Sequence, residues 1–274
     1  MHDFHVHSNF SPDSKATMAR MVQKGIQMGL KEICFTDHVE FQGGWVFDVN
    51  KYEQEIQRLR NMYKNQIQIR MGAEIGYEPQ NLSRMNEFAT SADFDFIMCS
   101  LHRIDGVGIH SGAFAAGKTP EQAFAKYFET YYQCVKDDPI YSVLGHFDLL
   151  KRYVPYHNHN VFKDNYDVIR ETFKLLIENG KGIEVNASGF RYKLNHTLPT
   201  LDFLKLYKEL GGEIITTGSD SHSEAYVAHK FDYEHALLKQ AGFNYYTRFE
   251  KMQPHFVKLE SEPRRLDLDL LRYA

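Results

Sequence analysis

Apolar positions along the chain fall into short runs, separated by longer stretches in which apolar residues recur with helical spacing. The runs at 4–7, 32–36, 67–74, 94–99, 141–144, 182–186 and 213–217 read as strands. The stretches at 15–29, 51–64, 120–137, 161–179, 201–210 and 225–241 read as helices. Strands alternating with helices point to repeated βα units and a parallel sheet. Seven such strands suit a closed or nearly closed barrel better than an open sheet. Residues 40–50 and 103–119 read as long loops; in a barrel, loops at the C-terminal face build the active site. No low-complexity segment, linker or shift in composition interrupts the pattern, so a single domain over 1–274 is expected.

Composition narrows this picture in a few places. With 43% hydrophobic and 25% charged residues the chain can bury a sizeable core. No apolar stretch approaches the roughly 20 residues needed to span a bilayer. Residues 1–10 lack a basic segment followed by an apolar one, so no secretory signal is read and a cytoplasmic protein is expected. Cys34, Cys99 and Cys134 are far apart and form no CxxC pair, which suits buried thiols in a reducing compartment. A net charge of -4 without a basic block argues against a general footprint for long nucleic acid. Size alone suggests a monomer.

The 14 histidines change the picture most, because they and several carboxylates cluster just after strand ends. The first strand ends in Asp3-Phe4-His5-Val6-His7. Residues at spacing two share a face, so His5 and His7 are expected on one side and Phe4 and Val6 on the other. Two imidazoles held this way chelate a metal ion. The second strand runs into Asp37-His38, the third ends at Glu74, the fourth leads to His102, the fifth to His146 and the seventh to Asp220-Ser221-His222. Any of these alone is an ordinary surface residue; in a barrel the strand ends converge on one small volume, and together they predict coordinated metal binding.

In this order, His5-Val6-His7, Ser11-Pro12-Asp13, Thr36-Asp37-His38, Gly72-Ala73-Glu74, Ser100-Leu101-His102, Leu144-Gly145-His146 and Gly218-Ser219-Asp220-Ser221-His222 resemble the motifs of the polymerase-and-histidinol-phosphatase (PHP) superfamily. The resemblance implies a distorted (β/α)7 TIM-like barrel and a centre of three divalent ions, zinc, manganese or iron. Carried over by position, it implies that His5, His7, Glu74 and Asp220 hold a first ion. Glu74, shared, then holds a second with His102 and His146, and Asp13, His38 and His222 hold a third. Several family members have histidine where this chain has Asp13; a carboxylate there shifts the third position towards harder ions.

Three divalent ions set against the three carboxylates leave about +3, which favours an anionic substrate. Hydroxide bridging two ions would then be the nucleophile, and no protein nucleophile is required. No GxSxG elbow occurs. Arg152 and Arg191 follow the fifth and sixth strands, on the expected active-site side; guanidinium groups grip phosphate oxygens in a fork. This arrangement resembles the histidinol-phosphatase branch and implies hydrolysis of L-histidinol phosphate, a small phosphomonoester, in histidine biosynthesis. A phosphoesterase for nucleotides or short oligonucleotides is the alternative. Asp3 and Asp148 are candidates for orienting ligand histidines, and Glu40, Trp45 and Phe114 lie in the candidate active-site loops. His157 and His159, after Pro155, are expected to be exposed loop residues. The tail over 243–273 is expected to pack.

Overall fold

The computed structural model describes residues 1–155 and 159–260. Seven parallel strands form one sheet in sequential order: β1 (His2–Val6), β2 (Glu32–Phe35), β3 (Gln68–Gly76), β4 (Phe96–Ser100), β5 (Val143–Leu144), β6 (Gly182–Asn186) and β7 (Ile215–Gly218). A parallel bridge from Val6 to Ser221 brings the first and last strands together, and the His7 N–H donates to the Ser221 carbonyl at 2.9 Å. The sheet is thereby a nearly closed barrel. Each connection carries a helix: α1 (Met18–Gln27), α2 (Val49–Tyr63), α3 (Leu82–Ala89), α4 (Pro120–Asp137), α5 (Tyr166–Glu178) and α6 (Leu201–Glu209), with α7 (Phe231–Gln240) after β7. None is long and apolar enough to cross a membrane.

Local chemistry explains the helix ends. Thr119 caps α4 in a reciprocal box with Gln122, and Pro120 opens its first turn. The expected helix over 161–179 breaks at Asn165, whose side-chain amide donates to the Val161 carbonyl at 2.9 Å and competes with the helical ladder. The expected helix over 225–241 starts only at Phe231. Ala228 and Lys230 have φ of 57° and 61°, and the Ala228 N–H is captured by Asp3 Oδ2 at 3.0 Å. Helix α3 was not expected, because the only apolar stripe there is the short set Met85, Phe88 and Ala89.

The distortion of the barrel begins in β1. Asp3 pairs with Ile33 but Val6 pairs with Phe35, so β1 carries one extra residue in a bulge. This corrects the strict alternation expected there. Phe4 joins a cluster inside the barrel with Cys34, Phe96, Met98, Val143 and Phe249, whereas Val6 packs in the larger core under the helices. Phe249 lies on a C-terminal hairpin, β8 (Tyr245–Glu250) and β9 (Gln253–Lys258), which reaches under the barrel. Its ring lies 5.2 Å from that of Phe96. The apolar plug so formed is the floor on which the polar upper layer rests. The packing expected of the tail holds for Phe243, Tyr246 and Phe249, which are buried; residues 261–273 of that tail lie outside the described residues.

Candidate metal centre

The C-terminal ends of the strands deliver their side chains to one cavity of about 290 Å³. Asp13, His38, Glu74, His102, His146, Arg152, Asp220 and His222 are on its wall. His5 and His7 lie buried directly beneath.

Glu74 is central. Its Oε1 lies 2.9 Å from His146 Nε2 and 3.3 Å from His102 Nε2, and it accepts from Ser100 Oγ at 2.6 Å. Its Oε2 faces a different set: His5 Nε2 at 3.4 Å, His7 Nε2 at 3.5 Å and His38 Nδ1 at 2.9 Å. His38 arrives there because a short strand, His38–Val39, continues alongside β3 with His38 in register with Glu74. Asp220 Oδ1 lies 3.5 Å from His7 Nε2 and 3.8 Å from His5 Nε2. Asp13 Oδ2 lies 3.2 Å from His222 Nε2 and 3.4 Å from His38 Nε2. His146 and Asp220 adopt φ of 20° and 52°. Backbone strain of this kind persists where the surroundings enforce it.

Several histidines are held in one tautomer from behind. His5 Nδ1 donates to Glu184 at 2.7 Å, His102 Nδ1 to Glu40 at 2.6 Å and His7 Nδ1 to Ser11 Oγ at 3.1 Å. Ser11 in turn donates to Asp37 at 2.6 Å. With Nδ1 occupied, each Nε2 lone pair points into the cluster, the arrangement found behind metal-ligating histidines.

This donor set fits divalent cations. His5 Nε2 and His7 Nε2 face each other at 3.0 Å, a contact between lone pairs that a shared cation relieves. His38 Nδ1 and Glu74 Oε2 are buried 2.9 Å apart without the alignment of a hydrogen bond, and neither has another hydrogen-bond partner among the described residues. Three overlapping groups bring their ligand atoms within 4.8 Å of one another: His5, His7 and Glu74; His38, Glu74 and His102; and His7, His38 and His222. Electrostatics agree. Burial disfavours a charged Glu74, but His5, His102 and His38 hold its carboxyl well below the usual range. Asp220 is likewise held low by His5, His7 and two arginines. Burial lowers His38, yet Glu74 and Asp13 raise it to about 10. The cluster thus favours a proton on His5, His38 and His102, whereas burial lowers His7 and His146.

The two arginines expected to grip phosphate differ in placement. Arg152 lines the cavity and donates from Nη2 to Asp220 Oδ2 at 2.9 Å and to Ser188 Oγ. Its Nε is buried without a hydrogen-bond partner among the described residues. Arg191 stands behind Asp220 and donates to its carbonyl at 2.7 Å. Tyr192 stacks on both guanidinium groups, 4.2 Å from Arg152 and 5.4 Å from Arg191.

The chain matches the PHP domain family over residues 3–188. It belongs to the PHP family. A histidinol-phosphatase of Lactococcus lactis is 34% identical to this PHP chain over 256 residues, covering 92% of it and 95% of the relative. The crystal structure of a histidinol phosphate phosphatase from the same organism, complexed with zinc, L-histidinol and phosphate, superposes with a TM-score of 0.83 at 32% identity. That match covers 93% of this chain and 98% of the other. A Listeria monocytogenes structure shares the fold, with a TM-score of 0.76 at 19% identity over 85% of this chain and 99% of that one.

The remaining expectations resolve individually. Asp3 acts on backbone, accepting from the Ser219 N–H at 3.0 Å and so steadying the loop that carries Asp220. Asp148 pairs with Lys151 at 2.7 Å. Glu40 is buried behind His102 and Trp45 is on the cavity wall, whereas Phe114 is buried away from it. His159 is half-buried and pairs with Glu121 at 2.9 Å on the outer surface; His157 lies outside the described residues. Glu184 was missed. Its signal was a carboxylate between Ile183 and Val185, on the inward face of β6.

Proposed function

We propose that this PHP chain, working as one unit over 1–274, is a metal-dependent phosphomonoester hydrolase that converts L-histidinol phosphate to L-histidinol and inorganic phosphate in histidine biosynthesis. The observation that carries this reading is the placement of the His/carboxylate cluster and the Arg152 side chain on one cavity. The fold is shared with a relative that holds zinc, L-histidinol and phosphate.

His5, His7, Glu74 and Asp220 would hold one divalent ion, and His102 and His146 a second that shares Glu74. Asp13, His38 and His222 would hold a third. Zinc, manganese and iron all suit imidazole and carboxylate donors. Such ions supply positive charge to phosphoryl oxygens and make water acidic enough to attack near neutral pH. The protein's own part is positioning. Arg152 and Arg191 would offer charged donors to the phosphoryl oxygens, and Arg191 also donates to the Asp220 carbonyl. Tyr192 keeps both guanidinium planes in place. Trp45, Ile109 and Tyr153 also line the cavity and would be available to the leaving alcohol. We take the compartment to be the cytoplasm; the three buried cysteines are free thiols, although the structure brings Cys99 and Cys134, far apart in sequence, to an Sγ separation of 3.6 Å.

Phosphate release from L-histidinol phosphate should be compared with a panel of phosphomonoesters and with bis-p-nitrophenyl phosphate, with manganese or zinc supplied. We expect kcat/KM for L-histidinol phosphate to exceed the others by about a hundredfold, roughly 2.7 kcal/mol of discrimination. A flat monoester profile, or preference for the diester, would sink the substrate assignment.

A further inference from the structure

We infer that Glu184 is a positioning residue that ties two of the proposed metal positions together through opposite oxygens of one carboxylate. The inference rests on the metal reading above. Glu184 is fully buried on β6. Its Oε1 accepts from His5 Nδ1 at 2.7 Å, and this sets the tautomer that turns His5 Nε2 towards Glu74 and Asp220. Its Oε2 accepts from the His146 backbone N–H at 2.8 Å and from Asn186 Nδ2 at 3.0 Å. The first bond serves a ligand of one ion. The second anchors the strained backbone of a ligand of the next, His146, whose φ is 20°.

The surroundings hold this carboxylate in place. A Cβ on Gly218 would collide with Glu184 Oε1 and with His5 Cβ, so β7 closes over the pair only because residue 218 is glycine. Side chains or backbone from β1, β6, β7 and the segment after β5 therefore meet at Glu184. It need not touch an ion to control how two of them are held.

Glu184→Gln tests this with little change in shape. Three donors face Glu184: His5 Nδ1–H on Oε1, and the His146 N–H and Asn186 Nδ2 together on Oε2; an amide offers only one oxygen for them. The His146 N–H cannot change character, so it keeps the oxygen. The amide NH2 then faces His5 Nδ1, which accepts by carrying its proton on Nε2 instead. A protonated Nε2 cannot bind metal.

The experiment is zinc stoichiometry by mass spectrometry after gel filtration, with a competitive chelator titration and the melting temperature of the metal-free protein alongside. We expect Glu184→Gln to weaken zinc binding about 10–100-fold and to lose close to one ion per chain. In a His5→Ala background the same change should cost far less. Unchanged zinc affinity with a lowered metal-free melting temperature would reduce Glu184 to a packing residue and overturn the inference. If the variant does not fold, imidazole 15N shifts of zinc-loaded wild-type protein decide instead. His5 bound through Nε2 with a proton on Nδ1 supports the inference, and His5 bound through Nδ1 overturns it. Wild-type protein that takes up no zinc would remove the underlying metal reading, a result distinct from either.

Discussion

Arg152 and His7 share one carboxylate: Asp220 accepts from Arg152 Nη2 at 2.9 Å through Oδ2, while Oδ1 lies 3.5 Å from His7 Nε2. The proposed phosphate grip and the proposed metal cluster are therefore mechanically joined. Arg152→Ala removes a charged donor that contributes about 1.5–3 kcal/mol. It should lower kcat/KM for a phosphomonoester by about 10–100-fold and affect a phosphodiester less. Parallel kinetics on the two substrate types check this, and equal losses on both would argue against a phosphate-specific role.

Protons and metal ions compete for the cluster. Glu74 and Asp13 overcome the effect of burial and raise His38 to about 10, and Glu74 and Glu40 likewise raise His102. Below those raised values the imidazoles keep protons that an incoming ion must displace. Metal affinity should therefore climb with pH, by about tenfold per unit for each proton released. Chelator dialysis should abolish hydrolysis and lower the melting temperature, and added zinc or manganese should restore both. Zinc titrations between pH 6 and pH 8, about two units apart, read the slope directly; a flat profile would contradict the proton competition.

Glu234 bears on stability and not on the site. Both of its oxygens are buried without a hydrogen-bond partner among the described residues. Burial pushes its carboxyl well above 4.5, and Asp3 and Glu184 push it further. The folded chain thus holds a proton that the unfolded chain releases above about 4.5. Stability should fall as pH rises from that value, by up to about 1.4 kcal/mol per unit from this group. Glu234→Gln should stabilise the protein more at pH 8 than at pH 5, both measured by urea unfolding. Part of the slope will persist, because burial also raises Asp3 to about 6.

Phe249 closes the barrel from below against Phe96, Cys34 and Met98. Phe249→Ala should cost about 3–5 kcal/mol of unfolding free energy. Zinc stoichiometry at low temperature should change little, since the site lies in the layer above. Loss of zinc without loss of stability would show that the two layers are not independent.

Much of this molecule is legible in its sequence, for a physical reason. A barrel places the residues after each strand in one spot, so His38, Glu74, His102 and His146 could be grouped without knowing a single distance. Helices with strong caps, such as α4 behind Thr119, were equally visible. Long-range events were not. The bulge that parts Phe4 from Val6 arises from pairing with β2, and the late start of α7 follows from capture of Ala228 by Asp3, 225 residues away. Glu184 was hidden because an inward carboxylate in a short apolar strand looks like an exception until its partners from two other strand ends are seen.

Barrel closure also sets an order of events during synthesis. His5 and His7 leave the ribosome more than two hundred residues before Asp220 and His222. The bridge from Val6 to Ser221 forms only after that. The hairpin that seals the floor comes later still. A nascent chain must therefore carry these two imidazoles through that whole stretch of synthesis without the carboxylate proposed to complete their site. The full cluster exists only in a chain made past β7 through His222, and a chain interrupted before that point has no route to it.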